Sequence, residues 1–512
     1  MNNLNFLVDV LKESPVFKTL EKNVKPGRTV CASGLSTINK SNIIYALCRL
    51  KGVTAFCLAS DEKEAQTLCN DLSCMGLRAY VYPVRDFNFL DFQSRSHEYE
   101  HARLKVLLKL LNHECDVAIA CVDAAAQLTV PRNVLEQSVI EFEEGRELSL
   151  EKATKALTLL GYERFDAVEG SGQFSLRGGI LDFFMPDSDY PVRCEFWGDE
   201  ITDLSYFDIE TQRRFKKADK ITLSPSTEIV IEDRAALADK IEHKAKLLRS
   251  KNSAKAKEKL FSEAELIRSG AMIANADKFI NQIYDKPESL FDYLDRNTLV
   301  FASEFTAIQE RGKSMDFISN ETLMQGFEDG TLCRGFDRFA LTFNECTEFL
   351  QSHGTIVLEN FVHGSMPIKL SEIISFSTKQ LSAWGGSYKQ LKEDVDGLFT
   401  PESKGVIFAG TERAAKNLCD TFNADGINAV YSEGADKISK GELLVMQGAL
   451  SAGFEYPSQK FFAITYSQVS YRPEKSKKKK KKTGQEIYSL SELAPGDYVV
   501  HNVHGIGVFG GI

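Results

Sequence analysis

The sequence lacks a CxxC pair. Its 11 cysteines, an odd number spread from Cys31 to Cys419, mostly sit in apolar runs such as VTAFCLAS and DVAIACVD. That spacing excludes a zinc ribbon and a secreted disulfide framework, and it points to core thiols in a reducing, cytoplasmic setting. No run reaches the ~18 apolar residues a membrane helix needs. The opening MNNLNFLVDVLKESPVF has no basic stretch ahead of an unbroken apolar core, so no signal peptide is expected either. Basic residues are in deficit: 62 Lys and Arg against 72 Asp and Glu give a net charge of -10, which argues against a general nucleic-acid binder. The deficit is uneven. Arg472, Lys475 and Lys477 to Lys482 meet the single acid Glu474, a local +7 that leaves -17 on the other residues.

What is present is an ordinary globular composition, 43% apolar and 26% charged over 512 residues. At ~150 residues per domain, that length holds roughly three to four domains. Residues 28–125 alternate short buried runs (RTVCAS, VTAFCLAS, AYVYP, DVAIACVD) with helical spacing at 41–50, 61–75 and 98–112, so a parallel α/β sheet is expected over 1–125. From 126 to 220 a helix at 149–160 gives way to hairpin-like text, QFSLRGGILDFFMP and YPVRCEFWGDEITDLSYFD, the pattern of a mainly β insertion. Residues 221–335 return to charged helix and end with the buried run NTLVFAS. A second, small α/β domain is expected at 338–470, from GTIVLEN through GVIFAG, a helix at 411–424, INAVYSE, ELLVMQG and KFFAITY. A basic, low-complexity linker follows at 471–486, and a β module begins at 487–512. A strand with no partners after it cannot bury a face, so the sequence reads as ending inside that last domain.

Three stretches invite chemistry. Gly34 to Lys40 and Ser41, in GLSTINKS, has the spacing of a phosphate-binding loop except that Asn39 stands where the second glycine belongs. A working site also needs an acid at the end of a later strand to position Mg²⁺, and LVFASE offers Ser303 there, followed by Glu304. Two defects in one site suggest a relic with no hydrolysis. His97-Glu98-Tyr99-Glu100-His101 matches HExxH, the zinc-peptidase pattern, but no third ligand follows at a suitable spacing; the alternative is a helix start whose acids complement the dipole, with both histidines on its solvated side. His501 and His504, in VVHNVHGIG, fall three apart in an expected strand and so point to opposite faces, which argues against joint metal ligation. No catalytic residue and no metal site is assigned. The six-lysine run reads first as a solvated linker and second as a source of non-specific attraction to DNA.

GYERFD (161–166), FSLRGGILDFFMP (174–186), YPVRCEFWGDEITDLSYFDIETQR (190–213) and KPESLFDYL (286–294) resemble the bacterial transcription-repair coupling factors (Mfd). GDYVVHNVHGIGVFGGI (496–512) resembles the start of that family's RNA-polymerase-interacting domain. The resemblance implies a multi-domain α/β fold. A parallel α/β part like the repair helicase subunit UvrB holds a mainly β insertion, then come a second small α/β domain and a truncated β module of Tudor-like kind. It implies that the insertion docks the damage-recognition protein UvrA, with Arg164, Arg177, Arg193 and Phe196 at positions matching the family's docking surface, and Ser175 where UvrB has a further arginine; for Phe196 a strand position facing the core is an equal alternative. It implies that Val500, His501, His504, Gly505 and Gly507 open the module that grips the RNA polymerase β subunit, incomplete here. ATP, Mg²⁺ and the main contact with double-stranded DNA belong to a motor further along the family's chain. This segment is expected to need no cofactor, to act as a monomer away from membranes, and to touch DNA only weakly through Lys477 to Lys482. The alternatives are a UvrB-like ATP-dependent repair helicase and, on the HExxH alone, a zinc hydrolase. Asn39, Ser303 and the Tyr-free stretch VRDFNFLDFQSRS after Tyr82-Pro83 argue against the helicase.

Overall fold

The computed structural model describes residues 4–85, 97–138, 140–249, 253–270, 276–362, 366–381, 388–466, 498–501 and 505–508. Met1–Gln468 form one compact unit and Val469–Ile512 another.

The expected buried runs form a seven-stranded, fully parallel sheet in the first unit. Its spatial order is Glu372–Ser375, Val30–Ser33, Thr355–Glu359, Leu299–Ser303, Ala55–Ala59, Val117–Cys121 and Ala79–Tyr82. Its middle strands are apolar on both faces because helices cover both, which is why they read as unalternating sequence. The helices lie where the spacing places them, at Thr37–Lys51, Glu62–Cys74 and Glu98–Leu111.

One strand sits differently from its expected place. Thr355–Glu359 does not open the small α/β domain; it lies in the middle of the first sheet, between Val30–Ser33 and Leu299–Ser303. A five-residue run buried on both faces pairs equally well in either sheet, and period alone cannot choose between them.

The insertion is an antiparallel sheet with one short parallel edge strand, ordered Arg214–Lys217, Glu200–Phe207, Val192–Trp197, Ile180–Phe183, Gln173–Arg177 and Glu163–Arg164. A separate pair joins Ile140–Glu143 to Lys220–Leu223. The helix Leu150–Leu159, capped by Ser149, packs Ala153 and Leu157 into this insertion's own core. The last sheet of the unit runs Lys379–Leu381, Gly453–Tyr456, Phe461–Thr465, Lys404–Phe408, Glu442–Met446 and Ala429–Ser432. Val406, Phe408, Met446, Phe454 and Phe461 on one face of it share a continuous core with Phe6, Leu7, Ile43 and Leu68 of the N-terminal helices. That contact holds a buried carboxylate. Asp71 accepts from the Ser451 amide and hydroxyl, both at 2.7 Å, and from the Ser41 hydroxyl at 3.3 Å.

In the second unit Tyr498–His501 pairs antiparallel with Gly505–Val508. VVHNVHGIG therefore contributes to two strands rather than the single strand expected. His504 and Lys477 to Lys482 lie outside the described residues. No helix among the described residues is long and apolar enough to cross a membrane.

Candidate functional site

The carboxyl edge of the first sheet is where ligands bind in parallel α/β folds. Gly34 leaves Val30–Ser33 at φ +79°, and a Cβ there would lie 2.2 Å from the Phe376 carbonyl oxygen. The Phe376 backbone therefore crosses directly over the loop, and the Thr378 hydroxyl donates to the Gly34 carbonyl at 2.7 Å. Asn39, fully buried, accepts from the Ser36 hydroxyl at 2.6 Å. Lys40, 2% exposed, donates to Glu304 Oε1 at 2.5 Å, to Ser303 Oγ at 2.9 Å and to Glu64 Oε1 at 3.4 Å. A phosphate would have to displace two carboxylates from that ammonium. Ser41 turns away, donating to Asp71 and the Thr37 carbonyl.

Glu304 holds φ +56°, a region non-glycine residues enter rarely, and precedes the 25-residue helix Phe305–Asp329. Its neighbour Glu359 accepts the first amide of that helix, from Phe305, at 2.8 Å. Burial pushes the Glu359 carboxyl up to about 7; the Phe305 amide opposes this and the Glu304 charge adds to it. Burial also acts to raise Glu64, but Lys40 and the hydroxyls of Ser303 and Ser60 outweigh it and hold Glu64 below the usual range. Among the described residues, one group has donor atoms close enough to share a metal ion, Glu62, Cys121 and Asp123. Arg311 already pairs with both carboxylates there. Sequence reading missed Glu64, in the first turn of the helix Glu62–Cys74, and Glu359, at the end of the strand Thr355–Glu359, which lie far apart in the chain.

The HExxH residues serve the insertion. His97 Nδ1 faces Glu100 Oε2 at 3.0 Å, and His101 Nε2 faces the Ser226 hydroxyl at 3.1 Å. His101 is therefore half-buried against the chain leaving the insertion, not on a solvated face as expected. A Cβ on Gly172 would lie 2.7 Å from its ring. Glu100 accepts from the Thr227 hydroxyl and the Glu228 amide, each at 2.8 Å. Burial alone would raise the Glu100 carboxyl, but His97, Arg85 and the Glu228 amide hold it at about 2. Next to it Arg103 and Glu228, both fully buried, pair at 2.6 Å, with Arg103 stacked 4.2 Å over Tyr82. This turn of helix clamps the end of the insertion to the parallel sheet.

On the insertion, the outer face carries one buried carboxylate shared by two arginines. Asp182, 1% exposed, accepts two bonds from Arg193 (Nε and a terminal nitrogen, each 2.8 Å) and one from Arg177 at 2.8 Å. Arg193 also stacks 4.4 Å over Phe207 and reaches Gln212, so its whole fork is engaged inside the insertion. Arg177, half exposed, keeps donors facing solvent. Arg164 is exposed on the edge strand, beside Phe165 at 44% exposure. Phe196 is a correction to the expected docking set: it is 8% exposed and packs in the insertion core with Val192, Cys194 and Leu181. Alternation along VRCEFW puts Phe196 inside and turns Trp197, which sequence reading passed over, outward at 82% exposure. Ser175 is buried too, donating to the Asp166 carbonyl at 2.8 Å.

This geometry defines a class: a parallel α/β body bearing a β insertion with an arginine-lined outer face. Residues 140–229, which cover the insertion sheets, match the UvrB interaction domain. Along nearly its whole length the chain is similar to transcription-repair-coupling factors. It is 28% identical to that of Bacillus subtilis (strain 168) over 98% of this chain and 44% of the relative, and 23% identical to that of Staphylococcus aureus (strain MRSA252) over 99% and 44%. The factor of Staphylococcus epidermidis is 26% identical over 85% of this chain and 37% of its own. The chain spans less than half the length of these relatives. Together these matches make the chain similar to a part of transcription-repair-coupling factors, with the UvrB interaction domain inside the matched region.

Proposed function

We propose that this segment recruits UvrA to sites of stalled RNA polymerase, as the docking part of a transcription-coupled nucleotide-excision repair factor. The observation that carries the reading is the coincidence of the UvrB interaction domain, residues 140–229, with the insertion that presents Arg177 on its outer face and an exposed Arg164 on its edge strand. Exposed arginine forks suit a partner's carboxylates because they pair bidentately. The segment acts by binding, and the ATP-driven translocation that displaces polymerase belongs to the rest of the family's chain. The engagement of Lys40 by Glu304 and Glu64 supports a nucleotide-free role for the first sheet. The pairing of Tyr498–His501 with Gly505–Val508 supports a place for the polymerase β subunit at this module, with double-stranded DNA met by the distant motor and only weakly by Lys477 to Lys482. Such a factor works in the cytoplasm. Titrating purified UvrA into the segment tests the reading: saturable micromolar or tighter binding is expected, and no binding at tens of micromolar overturns it.

A further inference from the structure

The insertion sheet ends in two hairpin turns side by side. Arg177 and Ile180 flank Gly178-Gly179, and Trp197 and Glu200 flank Gly198-Asp199. The Phe196 amide donates to the Gly179 carbonyl at 2.8 Å, which laces the turns together. Gly179 is needed for this approach, since a Cβ there would lie 2.7 Å from the Phe196 carbonyl oxygen.

Register places the side chains. Arg177 pairs with Ile180, Ile180 pairs with Glu195, and Trp197 lies two residues beyond Glu195, so Arg177 and Trp197 share the outer face near one edge. Trp197, at 82% exposure, is the most exposed large apolar side chain among the described residues. An indole covers roughly 200 Å² when buried, and this one is left in water while Phe196 beside it is packed inside. The floor under the face is rigid. Phe207 is fully buried beneath Arg193, and Asp182 is fixed by two arginines. Glu200 lies directly opposite Trp197 across the turn, and the next acids along this face, Glu195 and Asp203, are both bound by Arg214. Tryptophan and arginine on a rigid base are the residue types that dominate binding energy at protein interfaces.

We propose that Trp197 is the apolar anchor of the docking face, entering an apolar pocket on UvrA whose rim carries a carboxylate for Arg177. This rests on the reading that the insertion docks UvrA. The surplus arginine at Asp182 favours such a partner, because Arg177 leaves donors open on the face that also carries the indole.

The test uses the whole chain, with UvrA titrated into wild type, Trp197→Ala, Trp197→Phe and Arg177→Ala. Trp197→Ala weakens binding at least tenfold and Trp197→Phe recovers most of it, with unfolding midpoints unchanged because the side chain is solvated. With 5-fluorotryptophan in a Trp384→Phe background, the single Trp197 fluorine resonance shifts or broadens as UvrA is added. If Arg177→Ala weakens binding while Trp197→Ala and the resonance do not respond, the anchor is overturned and the docking reading stands. If wild type does not bind UvrA, the docking reading itself has failed. If wild type self-associates and Trp197→Ala abolishes that without weakening UvrA binding, the indole serves a second copy of this chain, which also overturns the anchor.

Discussion

Lys40 Nζ lies 2.5 Å from Glu304 Oε1, across 264 positions of sequence, in the place where a phosphate-binding loop would present its lysine to a nucleotide. Removing it leaves Glu64 and Glu304 without their shared cation in a largely buried site. Lys40→Met is expected to destabilise the first unit by about 3 kcal/mol, as for one partner lost from a buried ion pair, read from the denaturant midpoint. Millimolar ATP with Mg²⁺ is expected to leave the wild-type melting temperature unchanged, and a rise of several degrees contradicts the assignment.

Asp71 gives a pH signature. Burial pushes its carboxyl up to about 6 from an ordinary 3.8, against the opposing hydrogen bonds from Ser451 and Ser41. A native value above the unfolded one means that the folded state binds the extra proton. The contribution is fully present below the unfolded value and is lost as pH rises through the native one. Asp71→Asn therefore gains on wild type as pH climbs from about 4 to about 6, by roughly 3 kcal/mol, and the difference is flat above that range. Urea unfolding of both proteins across that range checks it, and a difference independent of pH contradicts it.

The two arginines of Asp182 separate stability from docking. Arg193 is 12% exposed and Arg177 51%. Arg193→Ala strips a buried carboxylate of its two-pronged partner and is expected to cost about 3 kcal/mol. Arg177→Ala breaks one bond at a solvated guanidinium and is expected to cost under about 1 kcal/mol. Unfolding of the two variants, followed by circular dichroism, gives the comparison.

The HExxH turn predicts insensitivity to metal. His97 and His101 face Glu100 and Ser226, so chelator is expected to leave the melting temperature unchanged. Glu100→Gln weakens the acceptor for Thr227 and the Glu228 amide and is expected to lower stability by about 1–2 kcal/mol, as for hydrogen bonds to a charged group. A zinc-dependent rise in melting temperature would restore the hydrolase alternative.

Much of the fold is legible locally. The runs around Cys31, Cys57 and Ile119 form the strands their lack of alternation predicts, and the helix starts at Glu62, Glu98 and Leu150 fall within a residue or two of the expected positions. Alternation in VRCEFW also held enough to place Phe196 inside, since it shares its parity with Val192 and Cys194. What stayed hidden depends on distant helix, loop and strand residues meeting. Asp71 finds Ser451 across 380 positions, Ser303 finds Glu64 across 239, and Thr355–Glu359 chooses the first sheet. Local period carries no information about which buried strand lies beside which.

The central claim is that the insertion docks UvrA through Arg177 on its outer face and Arg164 on its exposed edge strand. Its most direct measurement compares UvrA affinity for wild type, for the Arg164→Ala, Arg177→Ala double variant, and for Lys416→Ala, a surface substitution in another sheet's helix. The account predicts at least a tenfold loss in the double variant, with its unfolding midpoint and the Lys416→Ala affinity both close to wild type. Equal affinities for all three proteins would contradict it.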